Sequence, residues 1–445
     1  MALSGLAIYK HLPKTNCKDC GVPTCLAFAM KVAAGQASLD DCKHLKPEGK
    51  AALSEASAPP QQLVTIGEGG QALSIGQETV LFRHEEKFHR PTAVAVRVSS
   101  ALDDAALRER CKRIAGIEFE RMRSVLKVNL VAVHDADGNA AKFTAAAKTA
   151  SEVADRALIL MSGHVESLKA AGAALKDKHP LLWPLDGKGA EAIAVAKELG
   201  LPLVLEAKGF EDVNALAEKA RAEGLKQLIL SPGTVNLAEG LMFLTATRRG
   251  AILKKHRPVG YPVAMMSLGE NEGKAVIDAC SYVLKYAGIV VVDTVASQHI
   301  LGILTTRGDV YTDPQVPVQV EAGVHVIGEA GPDSPVLVTT NFALSYCSVE
   351  AEVQMSRIPS YILAVNTDGT SVLTAWAADK LNAKTIAATY KSSGMDTKVK
   401  HKKIVLPGLV AVLKGGVEDE SGLEAIVGPK EASGLVPFLK NQWKP

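Results

Sequence analysis

The 445-residue sequence lacks several features that mark common classes of protein. Aromatic residues make up only 4% of the chain, and Lys and Arg (50) nearly balance Asp and Glu (48), which leaves a net charge of +2 with no basic block. No apolar run reaches the roughly 18 residues of a membrane span. These absences argue against a membrane protein and against nucleic acid as a partner.

Cysteine is scarce after residue 42. Cys111, Cys280 and Cys347 are scattered singly over the rest of the chain, and we interpret them as buried packing residues. The first residues, MALSGLAIYKHLPK, have no apolar secretory core. We therefore expect a cytoplasmic protein in a reducing compartment, without structural disulfides.

The other four cysteines are concentrated at the start of the chain. Cys17, Cys20, Cys25 and Cys42 are spaced C-x2-C-x4-C-x16-C. Such a concentration predicts a shared centre, because a metal needs about four ligands within about 2.3 Å. Two tight spacings and a distant fourth thiol favour an iron–sulfur cubane. Zinc and free or disulfide-bonded thiols remain alternatives, although zinc sites usually add a second short pair.

The local sequence predicts how the third cysteine is held. Gly21 and Pro23 favour a turn, and Thr24 is a suitable N-cap for a helix that runs through Val32. Cys25 would then lie at a helix N-terminus, where the dipole and free N–H groups favour an anionic cluster.

The composition and the alternation of apolar segments indicate an α/β protein. From about residue 92, eight short apolar runs are each followed by a helical pattern, which is typical of a TIM (β/α)8 barrel. A doubly wound sheet would also alternate in this way. The predicted barrel strands are 92–99, 128–135, 157–163, 180–185, 201–207, 227–233, 262–269 and 289–295.

The rhythm changes near residue 325, where GEAGPDSPVLVTT indicates a domain boundary. Four strands at 336–341, 361–367, 402–408 and 423–429, with helices between them, predict a flavodoxin-like, doubly wound domain. The Pro-containing stretch SAPPQQ, from Ser57, is interpreted as a linker. The predicted division is a cluster domain at 1–57, a linker with short strands at 58–91, the barrel at 92–325 and the last domain at 326–445.

Two strand ends in the last domain carry small and polar residues, in NTDGTSVLTA and IVGPKEASGL. Ligands of open α/β sheets bind beyond the carboxyl ends of strands, and Gly and Ser let a bulky flat ligand approach the backbone. Neither loop is a GxGxxG or a P-loop, so a nucleotide has no support. Ordinary turns with N-caps are the alternative interpretation.

Taken in order, these elements give the chain a resemblance to a known family. It resembles the large (gamma) subunit of the corrinoid/iron–sulfur protein of the anaerobic acetyl-CoA pathway of carbon dioxide fixation. The resemblance covers the whole length. It rests on the cysteine spacing with its TCLAFAM helix, and on VYTDPQVPVQV (310–320), VTTNFALSY (338–346), VNTDGTSVLTA (365–375) and IVGPKEASG (426–434).

The resemblance implies a [4Fe-4S] domain, a TIM barrel and a cobalamin-binding C-terminal domain. Its cluster ligands fall on Cys17, Cys20, Cys25 and Cys42. Its corrinoid contacts fall on Thr340, Tyr346, Thr370, Ser371, Val372, Leu373, Thr374, Gly428, Ala432, Ser433 and Gly434.

The resemblance also implies a methyl carrier of the methyltransferase class. Cob(I)amide accepts a methyl group from methyltetrahydrofolate through a separate methyltransferase, and methylcob(III)amide donates it to acetyl-CoA synthase/CO dehydrogenase. The cluster, served by a reductant such as ferredoxin, returns Co(II) to Co(I). A small (delta) subunit completes a heterodimer. The alternatives are a barrel methyltransferase that acts directly on a pterin, with Asp135, Asp186 and Asp293 as candidates, and an iron–sulfur electron-transfer protein.

For the corrinoid that the resemblance implies, the residues favour base-off binding, without a protein histidine on cobalt. The only D-x-H, Asp177-Lys178-His179, lacks the following glycine of the D-x-H-x-x-G motif, and the last domain has only His401, in an exposed Lys-rich stretch. We expect no catalytic acid–base or nucleophile residues. The barrel's strand ends offer few titratable groups, and His134-Asp135, His84 and His89 receive no functional role.

Overall fold

The computed structural model of the chain describes residues 5–33, 37–46, 49, 53, 59–121, 124–269 and 271–445. The chain divides into two compact units. The first takes Met1–Leu81, His89–Ala115 and Asn129–Ile303, and the second takes Phe82–Phe88, Gly116–Val128 and Leu304–Pro445. The predicted end of the cluster domain, with Ser57 and Ala58 of the linker, lies outside the described residues.

Among the described residues, the N-terminal region contains two short helices and one 3-10 turn. They are α1 (Gly5–His11), α2 (Cys25–Ala33) and the turn Leu39–Asp41. The helices pack through a small core in which Ile8, Phe28 and Leu53 are buried. Cys25 belongs to this core.

A β-hairpin follows, made of β1 (Leu63–Ile66) and β2 (Leu73–Gly76). The short strands predicted at 63–83 are therefore present in part. Val64, Ile66 and Ile75 point into the interior core of the barrel. The Gly67 N–H donates to the His179 carbonyl (2.9 Å), just before a barrel strand begins, so the hairpin covers the amino end of the barrel.

Eight parallel strands form a near-closed barrel, as predicted. Their order is β10-β9-β8-β7-β6-β3-β12-β11, and a single bridge between Leu230 and Val263 joins the two ends. The barrel strands are β3 (Ala93–Ser99), β6 (Leu130–His134), β7 (Ala157–Ser162), β8 (Leu181–Pro184), β9 (Leu203–Glu206), β10 (Leu228–Ser231), β11 (Ala264–Ser267) and β12 (Ile289–Val292). Two further strands, β4 (Glu118–Arg121) and β5 (Ser124–Lys127), lie between β3 and β6 in the chain and are not part of the barrel.

Helices lie between successive barrel strands and after the last one. They are α3 (Asp104–Ala115), α4 (Ala140–Ala154), α5 (Val165–Ala174), α6 (Gly189–Leu199), α7 (Phe210–Ala222), α8 (Leu237–Ile252), α9 (Glu272–Leu284) and α10 (Ser297–Val310). Strands β4 and β5 form a separate antiparallel hairpin that belongs to the second unit and was not predicted. All helices in the described parts of the chain are too short or too polar to cross a bilayer.

The barrel interior changes from apolar to polar along its axis. Inward positions at the amino end and the middle form an apolar core, in which Trp183 is fully enclosed. Because side chains alternate between the two faces of a strand, the next inward-facing residues toward the carboxyl ends of β3, β6, β9 and β12 are Arg97, His134, Glu206 and Asp293. The mouth of the barrel therefore has a charged inner layer.

The C-terminal sheet is mixed, with strand order β13-β15-β14-β16-β17. Four strands are parallel, and the edge strand β13 runs antiparallel to β15. The strands are β13 (Gly323–Ile327), β14 (Val336–Thr340), β15 (Ser360–Val365), β16 (Lys403–Leu406) and β17 (Glu424–Val427). The four strands predicted here are all present.

Helices cover both faces of this sheet, each over its own apolar core. They are α11 (Ala343–Ser356), α12 (Val372–Ala377), α13 (Ala383–Ser392), α14 (Met395–Lys398), α15 (Lys414–Ser421) and α16 (Leu435–Asn441). Helix α12 is short, because Asp379 adopts a left-handed φ of 55° soon after its end and Asn382 caps the next helix.

The limits between parts of the chain differ from those expected. Residue 325 lies inside β13, which pairs with β15, and the last segment of the second unit already begins at Leu304. His325 therefore belongs to the C-terminal sheet, so His401 is not its only histidine. The sequence did not predict β13, because the run GVHVI is short and lies beside the apparent boundary.

Candidate functional site

The loop that carries the first two cysteines has an unusual backbone. Lys14, Asn16 and Lys18 have left-handed φ values of 58°, 49° and 69°, and Gly21 follows with 73°. Each non-glycine residue in this region costs about 1–2 kcal/mol. Left-handed residues within a loop are one feature of backbone conformations whose N–H groups bind anions.

The third cysteine is held as predicted. Helix α2 begins at Cys25, and the Thr24 hydroxyl accepts a hydrogen bond from the Ala27 N–H (3.1 Å). The Asn16 side chain accepts from the Cys25 N–H (2.8 Å), and this bond fixes the cysteine loop to the start of the helix. The capping role of Thr24 is thus confirmed.

Three of the four N-terminal cysteines, Cys20, Cys25 and Cys42, pack on the same small core. Cys25 is buried, Cys20 and Cys42 are half-buried, and Cys17 is exposed. Burial raises the pKa of Cys42, a backbone hydrogen bond at His44 opposes it, and the negative charges of Cys20, Cys25 and Cys17 raise it further. The distant fourth cysteine therefore returns to the core that holds the second and third cysteines.

Two residues that the sequence did not single out lie beside Cys17. Ligand atoms of Cys17, Asp19 and His44 lie within 4.8 Å of one another. Hydrogen bonds to His44 and then to Cys17 lower the pKa of Asp19. No local pattern marked this pair, since the two residues meet only when the segment after Cys42 returns to the loop.

A cavity of about 260 Å³ lies at the carboxyl ends of β14, β16 and β17. Three of the predicted contact residues line it: Val372, Gly428 and Ala432. Ser345, Pro407, Leu409 and Lys430 line it as well and were not predicted. The cavity lies at the sheet edge where ligands of α/β folds bind.

Thr340 and Tyr346 are both fully buried. The Thr340 hydroxyl, at the carboxyl end of β14, finds no hydrogen-bond partner among the described residues. An unpaired buried hydroxyl costs about 1–3 kcal/mol, so a ligand that bonds it would recover that energy. Tyr346 lies in the core, where its hydroxyl donates to Glu350 Oε1 (3.2 Å) and its ring meets His325 edge-on.

The loop after β15 presents the other predicted polar contacts. Thr370 Oγ1 donates to the Thr367 carbonyl (2.7 Å), and the Ser371 and Thr374 hydroxyls lie 3.0 Å apart. Ser371 is the N-cap residue of α12, and Leu373 is 47% exposed. These side chains lie together at one strand end.

The loop after β17 is closely packed against its neighbour. A Cβ on Gly428 would lie 3.0 Å from the Leu406 carbonyl oxygen, and one on Gly434 would lie 2.7 Å from Pro429 Cβ. Glycine is needed at both positions for the loop itself. Ser433, between them in the turn Ala432–Gly434, is exposed.

Apolar side chains are exposed around this sheet edge. They are Leu344, Leu373, Trp376, Leu409 and Val412, with exposed fractions from 41% to 72%. An apolar rim around a cavity at this edge suits the apolar face of a large flat ligand.

Neither histidine of the C-terminal sheet is free to reach this edge as a ligand. His325 Nε2 bonds the Glu321 carbonyl (2.8 Å), and His401 Nε2 bonds the Ser334 carbonyl (2.8 Å). His401 is half-buried rather than exposed, and it precedes β16, whereas the cavity lies at the carboxyl end of that strand.

The barrel mouth carries more titratable groups than we expected. Arg97 forms a bidentate pair with Asp293, with Nε–Oδ1 and Nη2–Oδ2 distances of 2.7 and 2.8 Å. Burial lowers the pKa of His134 and raises that of Glu206, which accepts a bond from Trp183 Nε1 (2.7 Å). The expectation failed because these groups lie within or just beyond strands that appeared as apolar runs.

The residues to which the sequence analysis gave no functional role lie mostly where we expected them. His84 and His89 are exposed, and Asp135 is buried with the Ser162 hydroxyl donating to it (2.7 Å). Cys111 is buried, but Cys280 and Cys347 are only half-buried.

Comparisons with known proteins show which family the chain is similar to. One family model, described as CO dehydrogenase/acetyl-CoA synthase delta subunit, matches residues 63–439, and another, described as a putative Fe-S cluster, matches residues 12–44. The corrinoid/iron–sulfur protein large subunit of Moorella thermoacetica is 45% identical over 442 residues, covering 99% of each chain. The acetyl-CoA decarbonylase/synthase complex subunit gamma of Archaeoglobus fulgidus is 32% identical over 465 residues, with 99% of each covered.

Solved structures give a weaker similarity. Dihydropteroate synthase from Thermus thermophilus aligns with 17% identity and a TM-score of 0.39, covering 56% of this chain and all of that one.

Proposed function

The chain belongs to the family of corrinoid/iron–sulfur protein large subunits, and from this premise we propose that it carries a methyl group in the acetyl-CoA pathway. One observation carries the proposal: the same chain contains four cysteines in its N-terminal region, three of them on one small core, and a cavity at the carboxyl edge of the C-terminal sheet. When bound, a corrinoid supplies the cobalt that carries the methyl group, and a [4Fe-4S] cluster supplies electrons at low potential.

Cys17, Cys20, Cys25 and Cys42 would hold the cluster. Two features support this set: the start of α2 at Cys25 and the left-handed residues that turn N–H groups within the loop. Both favour a negatively charged group, because helix N-termini and such loops offer unpaired N–H donors. The Asn16 hydrogen bond to Cys25 would keep the loop in place as the cluster changes charge.

The corrinoid would lie at the carboxyl edge of the C-terminal sheet. In chain order the four parallel strands are arranged 2-1-3-4, as in the flavodoxin-like doubly wound fold. Thr340 would offer its unpaired hydroxyl, and the loop Thr370–Thr374 its hydroxyls and the exposed Leu373. Gly428 and the turn Ala432–Gly434 would let the ligand approach the backbone, and Tyr346 would support this edge of the sheet from the core.

The chain would leave cobalt without a histidine ligand, because His325 and His401 both bond backbone carbonyls. Fewer axial ligands favour the nucleophilic, reduced metal, which a methyl acceptor needs. We also infer a heterodimer with the family's small subunit, in contact with a methyltransferase and with acetyl-CoA synthase. The printed name of the Archaeoglobus relative, a complex subunit, supports a role within an assembly.

The test is an anaerobic visible spectrum with iron and cobalt analysis on the chain co-produced with its small subunit. We expect about four irons and one cobalt, and a Co(I) band on reduction. Iron without cobalt would leave an electron-transfer protein. Zinc in place of iron would overturn the assignment of the cysteines.

A further inference from the structure

The conspicuous segment 310–320, VYTDPQVPVQV, has no role in the function proposed so far. Its end runs alongside the strand end that precedes α11. The Val320 N–H donates to the Asn341 carbonyl (2.9 Å), and the Ala343 N–H donates to the Val318 carbonyl (2.9 Å). The end of this segment is therefore fixed beside Asn341, directly after β14.

Asn341 connects this segment to the loop after β15. Its side chain is buried, with 2% of the residue exposed. The Oδ1 atom accepts three hydrogen bonds, from Thr367 N (2.9 Å), Thr367 Oγ1 (3.1 Å) and Gly369 N (3.1 Å). The Nδ2 atom donates to Gln319 Oε1 (3.0 Å) and Asn366 Oδ1 (3.4 Å). Both the oxygen and the nitrogen of the Asn341 amide thus have hydrogen-bond partners.

Gly369 brings the two segments into direct contact. Its φ is +70°, and an added Cβ would lie 2.6 Å from Gln319 Cγ and 3.1 Å from the Pro317 carbonyl oxygen. The turn Thr367–Thr370 therefore lies between Asn341 on one side and the end of segment 310–320 on the other. Thr370 Oγ1 closes the turn with its bond to the Thr367 carbonyl.

We propose that Asn341 is a positioning residue for the cofactor loop: it fixes the turn Thr367–Thr370 and so sets where Thr370–Thr374 stand before the corrinoid arrives. This inference rests on the proposed function, which places the corrinoid at that loop. A loop that is already ordered loses less conformational entropy when the ligand binds, so the ligand binds more tightly. Asn341 itself is enclosed and acts through the loop.

Three side-chain exchanges separate positioning from general stability. Asn341→Leu removes the acceptor for all three loop bonds at similar volume. Asn341→Asp keeps the acceptor, and the Gln319 amide can reverse to donate to the second oxygen. The matched control is Asn382→Ala in the same sheet domain, which removes the cap bond to the Thr385 N–H (2.9 Å) away from the cavity lining.

The probe is hydroxocobalamin, titrated into the full chain prepared without corrinoid and followed by visible absorbance. We expect wild type, Asn341→Asp and Asn382→Ala to bind within a few-fold of one another, and Asn341→Leu to bind at least about tenfold more weakly. Hydrogen exchange of the ligand-free chain should show faster exchange at the Thr367 and Gly369 amides in Asn341→Leu alone. Gly369→Ala, which displaces the turn without changing Asn341, should weaken binding similarly even if Asn341→Leu fails to fold.

The outcomes distinguish the two proposals. A wild-type chain that takes up no hydroxocobalamin overturns the proposed function together with the role given to Asn341. If wild type binds and Asn341→Leu and Gly369→Ala bind equally well, only the positioning role is wrong. Equal loss of affinity in Asn382→Ala would also overturn it, because the effect would then be one of general stability.

Discussion

His44 Nε2 and Asp19 Oδ2 lie 2.5 Å apart, although 25 residues separate them in the chain. This contact joins the loop between the first two cysteines to the segment just after the fourth. Both side chains are about half exposed, so the pair itself contributes little to stability in water. Its significance lies in its position beside Cys17, the most exposed of the four thiols.

If the cysteines hold a cluster, the His44–Asp19 contact should slow its loss. We expect His44→Ala to shorten the half-life of the cluster in air several-fold, because the segment after Cys42 would no longer be tied over Cys17. The measurement is the decay of visible absorbance together with retained iron. Lys43→Ala is the matched control at the neighbouring exposed position, and an equal decay in both variants would contradict the prediction.

The fourth cysteine should be as necessary as the first three. Cys42→Ser is expected to lower bound iron well below about four per chain, because it removes one thiolate ligand of a cubane. Cys347→Ser, a half-buried thiol in the C-terminal sheet unit, should leave iron content unchanged. Iron analysis of both purified variants decides this, and full iron in Cys42→Ser would exclude it as a ligand.

Glu206 should make the free energy of unfolding depend on pH. Burial raises its pKa, so the folded chain binds this proton more tightly than the unfolded chain, whose Glu pKa is about 4.3. The contribution of Glu206 to the free energy of unfolding is therefore fully present below about pH 4.3, and it decreases as the pH rises through the pKa that Glu206 has in the folded chain.

Replacing Glu206 removes that dependence. Glu206→Gln should gain stability relative to wild type as pH rises from about 4.5 to about 8, by about 1.4 kcal/mol for each unit by which burial raises the pKa of Glu206. Thermal unfolding at both pH values measures the change, with the exposed Glu109→Gln as control. A difference between Glu206→Gln and wild type that does not vary with pH would refute the argument.

Cys111 should be inert in the folded chain. Burial raises its pKa to about 11. At pH about 8, roughly one molecule in a thousand would carry the reactive thiolate. Iodoacetamide should therefore leave Cys111 unmodified until the chain is unfolded in urea, while the half-buried Cys280 reacts faster, as peptide mass spectrometry would show. Rapid labelling of Cys111 in the native chain would disprove its burial.

The sequence predicted the parts of the fold that depend on neighbouring residues. All eight barrel strands were found because buried parallel strands appear as apolar runs, as in β7, where every residue is buried. The Thr24 cap was found because its partner is the Ala27 N–H, three residues away. The hairpin of β4 and β5 was missed because EFER and SVLK have no such run, and β4 is mostly exposed.

The parts of the site that depend on distant contacts could not be predicted. Asn341 reaches Thr367 and Gly369, 26 and 28 residues away, only because β14 and β15 end side by side. Arg97 was included in a predicted strand, but its pairing with Asp293 requires the barrel to close around β3 and β12. Spacing in the sequence carries no information about which strand ends become neighbours.

The discontinuity of the second unit has a consequence for the order of events during synthesis. Its first segment, Phe82–Phe88, leaves the ribosome well before its last, which begins at Leu304. At about 5–20 residues per second, the roughly 200 residues between them take about 10–40 s. The barrel strands emerge within that interval, so the early segments must wait for the rest of their unit. A chain cut at residue 325 would release a C-terminal sheet that lacks three parts of its unit: Phe82–Phe88, Gly116–Val128 and the residues from Leu304 to 325.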